Sequence, residues 1–190
     1  NGKLLNELDR SDLTRKGLIG SEINECNEIL LTEIIDNDLL NNLSVEEICG
    51  VLGIFIESEE NIYDIKDLDL SDEVKNVLNK INDININLDK IAIKHNIDYN
   101  SYITLNSVMV VYQWAKGDTL RDIYLKNSLD LYEGNFVKNI TKVLNICNEI
   151  INICEIIGKN ILVEKLQNIE SLLLRDIVSF DSIYVSNKPI

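Results

Sequence analysis

Residues Glu133 to Ile157 read EGNFVKNITKVLNICNEIINICEII, and their spacing decides the fold. Phe136, Ile140, Val143, Cys147, Ile150, Cys154 and Ile157 recur at alternating steps of four and three. Side chains so spaced fall along one side of an α-helix. The other side carries Asn135, Lys138, Asn139, Lys142, Asn145, Glu149 and Asn152. One face therefore joins a core, and the other presents amides and two lysines one turn apart. The pattern predicts a long central helix with its polar flank turned toward a ligand or toward water.

Working outward, the rest of the chain predicts an all-α fold, a helical bundle around that central helix. Its 190 residues suit one domain, and 45% of them are hydrophobic, enough for a core. Proline, which a helix interior excludes, occurs only at Pro189. On the C-terminal side, Gly158-Lys159-Asn160 is a short turn into a last helix with Leu162, Leu166, Ile169, Leu173, Ile177 and Phe180 inward. That makes an antiparallel hairpin with the central helix.

On the N-terminal side, Thr119 to Lys126 reads as a short helix. Before it, Val108, Val111, Tyr112 and Ala115 mark a helix that Gly117 can end in a left-handed turn. Ser71 is placed to cap a long helix from Asp72 to about His95, with Val74, Leu78, Ile81, Ile84, Leu88 and Ile91 as its stripe. Residues 57–70 are acidic and read as a solvated linker. Ser44-Val45-Glu46-Glu47 has the capping-box form and opens a helix burying Ile48, Leu52, Phe55 and Ile56. Leu18 to Asp36 reads as one helix with the stripe Ile19, Ile23, Cys26, Leu30 and Ile34. Glu22 would fall in its first turn, where the helix dipole favours a carboxylate. Leu13 to Gly17 is a polar turn. Leu4, Leu5 and Leu8 predict a short helix in residues 1–12, readable as the tail of a preceding domain.

Composition bounds the chemistry. The net charge is -14 at pH 7, and a general-purpose nucleic-acid binder is basic. Any contact with nucleic acid must therefore use a local patch against an unfavourable overall field. The cysteines are Cys26, Cys49, Cys147 and Cys154, without a CxxC pair, and the one histidine is His95. No zinc site is expected from that set. Three of the four cysteines sit in apolar stripes, as buried reduced thiols do, which suggests a reducing, intracellular compartment. His95 near a helix C-terminus has a dipole contact as its simplest role. No P-loop, DExH string, GxSxG or HExxH occurs, so no catalytic residue and no cofactor are assigned to this chain. No apolar run is long enough to span a membrane and no signal peptide is evident. The chain starts at Asn1 rather than Met and reads as a fragment of something longer.

Four segments then carry a resemblance. The first is Lys16-Gly17-Leu18-Ile19-Gly20-Ser21-Glu22-Ile23, followed by Glu28-Ile29-Leu30-Leu31-Thr32-Glu33. The second is Asn42-Leu43-Ser44-Val45-Glu46-Glu47, and the third Val111-Tyr112-Gln113-Trp114-Ala115-Lys116-Gly117. The fourth is Tyr132-Glu133-Gly134-Asn135-Phe136-Val137, continuing through Ile157-Gly158-Lys159-Asn160 to Arg175-Asp176-Ile177-Val178-Ser179 and Ser182-Ile183-Tyr184-Val185. In order and content these are similar to KGRVAxEI with ELLLTE, NxLSPEE, YxWAxG, and EGSLIR with IGN, RDIV and SLYL. Together they span nearly the whole chain, which resembles the C-terminal helical (DSHCT) domain of the Ski2-like DExH RNA helicases, the Mtr4/Ski2 group.

The resemblance implies a domain packed beneath a two-lobed motor that holds ATP and Mg and pulls single-stranded RNA in the 3′-to-5′ direction. It implies that the central helix is a ratchet helix on the RNA path, and that an RNA-decay complex is a possible partner. Lys138 and Lys142 stand where the family places arginines, Asn145 where it places a glutamate, and Glu22 at a glutamate that approaches RNA. Asn135 and Asn139 share that flank. Lysine is a point charge and does not stack as arginine does, so the expected contact is backbone tracking with little sequence preference. The alternative reading is an acidic helical protein-interaction or scaffold domain that does not bind RNA, which the -14 charge favours.

Overall fold

The computed structural model describes residues 13–57, 63–100, 102–127 and 133–179. Among the described residues every regular element is helical. In chain order these are α1 (Arg15–Gly20), α2 (Glu28–Asp36), α3 (Val45–Leu52), α4 (Asp72–His95) and α5 (Val108–Ala115). Then come α6 (Leu120–Asn127), α7 (Glu133–Ile157), α8 (Asn160–Leu166) and α9 (Ile169–Leu173).

The central helix α7 has the predicted bounds, and α1, α3, α8 and α9 pack around it. Phe136, Ile140, Val143, Cys147, Ile150 and Cys154 are buried, and Ile157 is half-buried. Val137, Leu144, Ile146 and Ile153 are buried as well. The apolar stripe is broader than the sequence suggested because α7 has neighbours on two sides. Each such side chain contributes about 1.5–3 kcal/mol relative to exposure. Burial along α7 is thus a large contribution to closing the domain.

Local signals set the helix starts. The Ser44 hydroxyl accepts from the Glu47 amide at 3.2 Å, and Glu47 reaches back to the Ser44 amide at 2.9 Å. The same Glu47 carboxylate accepts from the Ser71 hydroxyl at 2.8 Å, while Ser71 accepts from the Val74 amide at the start of α4. Two helix N-termini are thereby tied through one glutamate. Helix α3 lies close against α5. A Cβ on Gly50 would stand 2.9 Å from the Tyr112 Cβ, so the approach requires glycine there.

Two of the segments that carry the resemblance, the third and the fourth, meet in space. The Trp114 ring, at the end of α5, is fully buried and lies edge-on to Phe136 of α7, with centroids 4.9 Å apart. Its indole Nε1 donates to the Leu173 carbonyl at 3.0 Å. The Arg175 guanidinium covers the ring at 3.5 Å and donates to the carbonyls of Trp114 and Asp118, both at 2.7 Å. Gly117, at φ 98°, turns the chain so that the Asp118 carbonyl can face that guanidinium. On the opposite side, the Lys159 ammonium donates to the Ile35 and Asp36 carbonyls at the end of α2 and to Asp38 at 2.7 Å. That bond holds the Asp38 carboxyl below the usual carboxylate range. Lys165 likewise binds the Asn41 and Leu43 carbonyls. The Lys159 contact, a cation on carbonyls left open at a helix end, is favourable on both hydrogen-bond and dipole grounds.

Several expectations are corrected. The single helix over Leu18–Asp36 is two helices, with residues 21–27 non-helical between them. The Thr14 hydroxyl caps α1 from the Gly17 amide at 3.1 Å, so Leu13 to Gly17 is the helix start and not a turn. Asn27 caps α2 through the Leu30 amide at 2.8 Å. Glu22 therefore follows the end of α1 instead of sitting in a first turn. The last helix is also interrupted: α8 forms the hairpin with α7 across Gly158 (φ 75°), and α9 is separate. The acidic stretch is anchored in part, because Leu68 is buried and Tyr63, Ile65 and Leu70 pack on the core. The α4 stripe loosens beyond Ile81: Ile84 and Leu88 are partly buried and Ile91 is 54% exposed. Residues 1–12 and Phe180 lie outside the described residues.

Candidate functional site

The polar flank of α7 divides into two halves. In the first, Asn135 and Lys138 are exposed, and Asn139 and Lys142 are half-exposed. Among the described residues, neither Lys138 nor Lys142 has a hydrogen-bond or ion-pair partner. Lys16, Lys126 and Lys159, by contrast, each meet a carboxylate at 2.6–2.7 Å. Four polar side chains over two turns thus face outward, and the charge they carry is positive in a strongly negative chain.

In the second half Asn145, Glu149 and Asn152 are engaged by residues 21–27, the strap between α1 and α2. Because that segment is not helical, its amides need acceptors from elsewhere. The Glu149 carboxylate supplies them, accepting from the Asn24 amide at 2.9 Å, the Asn24 side chain at 3.3 Å and the Glu25 amide at 3.4 Å. Asn145 donates to Glu25 at 3.2 Å, and Asn152 donates to Glu22 at 3.3 Å. The structure therefore brings Asn135, Lys138, Asn139 and Lys142 together, while Asn145 is held against the strap and Glu22, part of that strap, meets Asn152. Asn152, the partner of Glu22, lies about 20 Å along the helix from Lys138, at 1.5 Å per residue. Glu149 is the functional residue that sequence reasoning left without a role. It stood in the polar flank, but its partners are more than a hundred positions away.

Lys142 also lines one wall of an open groove of about 950 Å³. The groove is also lined by the N-terminus of α2, by Asp98, Tyr99, Asn100 and Tyr102, and by Phe55 and Glu57. Its two sides are pinned together. Asn27 donates to the Asn100 carbonyl at 2.7 Å, and the Tyr99 hydroxyl donates to the buried Asn85 at 2.9 Å. Burial pushes the Tyr99 phenol up to about 12.

Burial pushes the Cys26 thiol up to about 12 and the Cys154 thiol to about 11, so both are neutral and poor nucleophiles at physiological pH. Among the described residues no cluster of His, Cys, Asp and Glu could hold a metal ion, and no helix is long and apolar enough to cross a membrane. What the flank can offer is recognition: cations, amide donors and amide acceptors on a rigid helix.

Residues 10–181 match the family model of the DSHCT (NUC185) domain. The chain belongs to the DSHCT family. Among curated proteins, the DSHCT chain is 29% identical over 180 residues to the antiviral helicase SKI2 of Saccharomyces cerevisiae, covering 90% of the chain and 14% of that protein. It is 26% identical over 175 residues to the exosome RNA helicase MTR4 of Homo sapiens, covering 90% of the chain and 16% of the relative. It is 24% identical over 175 residues to the ATP-dependent RNA helicase mtr4 of Schizosaccharomyces pombe, covering 90% and 15%. The DSHCT chain thus spans about a sixth or less of the length of these relatives.

Proposed function

We propose that this DSHCT chain is the non-catalytic, RNA-guiding part of an ATP-dependent RNA helicase that unwinds in the 3′-to-5′ direction and serves RNA processing or decay. The first half of the α7 flank contacts single-stranded RNA: Lys138 and Lys142 meet phosphates, and Asn135 and Asn139 offer donors and acceptors beside them. Asn145 and Glu22 mark the far end of the path, where the strap bounds it. ATP and Mg belong to motor domains of the parent polypeptide, against which this domain packs. An RNA-decay complex is the setting in which such a parent works.

The observation that carries this reading is the pair of unpartnered lysines on the open half of α7, in a chain whose net charge is -14. The two cations stand one turn apart on the same outward-facing flank, and phosphate is a ligand that suits such a pair. Names of the relatives support the class of parent protein. The test is Lys142→Ala in the intact helicase. Unwinding is expected to slow about tenfold while ATP hydrolysis and thermal stability stay near wild type. Unchanged unwinding kinetics would overturn the assignment.

A further inference from the structure

The groove beside Lys142 is not explained by an RNA path. Among the described residues, Glu25, Glu28, Glu57 and Asp98 line it against a single cation, Lys142. Phosphates are repelled by such a wall, so a strand lying on Lys138 and Lys142 has reason to stay out of it. Among the described residues, no cation pairs with Glu28, Glu57 or Asp98. Two large apolar side chains at the same groove are also exposed, Ile29 at 44% and Tyr102 at 49%. Unpaired carboxylates and solvent-facing apolar surface therefore coincide in one concavity. Its walls are already fixed by the Asn27–Asn100 and Tyr99–Asn85 bonds, so a ligand would not have to order them.

We propose that this groove docks an extended, arginine-bearing basic peptide segment of a partner protein. Guanidinium groups would pair with Glu28, Glu57 and Asp98 and stack on the Tyr102 ring, and apolar side chains would cover Ile29. Arginine suits the site better than lysine because its planar head binds carboxylates two-pronged and lies flat on an aromatic face. A metal ion does not fit, since no set of ligating side chains converges there among the described residues. The proposal does not depend on the RNA reading.

The experiment is fluorescence anisotropy of the 190-residue chain with a labelled peptide of repeated Arg-Gly-Tyr units. Saturable binding is expected, with the lysine counterpart of the peptide a few-fold weaker. Glu28→Gln combined with Asp98→Asn should weaken binding about tenfold, and Tyr102→Ala about fivefold. Glu155→Gln combined with Glu164→Gln removes the same charge at exposed sites on α7 and α8, and should change it less than about twofold. Lys138→Ala, aimed at the RNA face, should leave the peptide unaffected, so the two readings can fail separately. Equal weakening by both charge-removing pairs would mean attraction by overall charge, and would overturn the proposal. So would the absence of saturable binding. A labelled oligouridylate whose binding falls with the Glu28 and Asp98 substitutions would reassign the groove to RNA.

Discussion

The two halves of α7 carry much the same side chains and have different surroundings. Asparagines recur along both: Asn135 and Asn139 in the first, Asn145, Asn148 and Asn152 in the second. The charged residues differ, with Lys138 and Lys142 in the first half and Glu149 in the second. The strap has backbone amides to satisfy and carries carboxylates at Glu22 and Glu25. A glutamate can accept from those amides, and a lysine cannot. Next to the glutamate, Asn145 and Asn152 give up their donors to the strap carboxylates. The sign of one side chain thus sorts the flank into a part used internally and a part left available. The lesson is that a polar helix face should be judged by whether the rest of the fold has donors or acceptors to spend on it.

The strongest way to break this comparison is Glu149→Ala. It leaves the Asn24 and Glu25 amides without their acceptor, and hydrogen bonds to a charged group contribute about 1.5–3 kcal/mol. A loss of about 2 kcal/mol is expected, lowering Tm by about 4–8 °C for a domain of this size. Amide exchange at Asn24 and Glu25 should accelerate well beyond that in α7. If melting and exchange both stay at wild-type values, the strap is held by something other than Glu149.

The complementary change sharpens the other half. Lys138→Ala combined with Lys142→Ala should leave stability within about 0.5 kcal/mol, as for exposed residues without partners. Binding of single-stranded RNA should weaken about tenfold. The plot of log affinity against log salt should become shallower by about 1.4, at about 0.7 for each phosphate that is no longer neutralised. An unchanged salt slope would show that these lysines meet no phosphate.

Much of this was legible in the chain. The bounds of α4 and α7 followed from long runs of helical spacing with a start signal at Ser71 and a stop at Gly158. The capping box at Ser44 was readable because all its parts are local. The break between α1 and α2 was not, because Ile19, Ile23, Leu30 and Ile34 keep helical spacing across it and are all buried. What holds the break open is Glu149, 125 residues away from Asn24. The same distance hid the site boundary: the lysines announced a cationic patch, but nothing near Asn145 in sequence shows that Glu25 covers it. The interruption after α8 was hidden similarly, since Leu166, Ile169 and Leu173 all reach the core despite the change of direction.

The smallest predicted effect isolates a single bond. Asn145→Ala and Asn139→Ala make the same chemical change on the same helix, one in each half. Both gain the same helix propensity, about 0.5 kcal/mol, which would mask a weak loss if either were measured alone. Only Asn145 loses a partner, the Glu25 carboxylate at 3.2 Å. Asn145→Ala should therefore be less stable than Asn139→Ala by about 1 kcal/mol, the net value of such a bond. A double-mutant cycle with Glu25→Gln should return a coupling of about 0.5–1 kcal/mol for Asn145 and none for Asn139. Equal stabilities and zero coupling at both positions would mean that the strap rests on α7 through Glu149 alone. Asn145 would then be as available to a passing strand as Asn139, and the RNA-facing surface would extend one further turn along the helix.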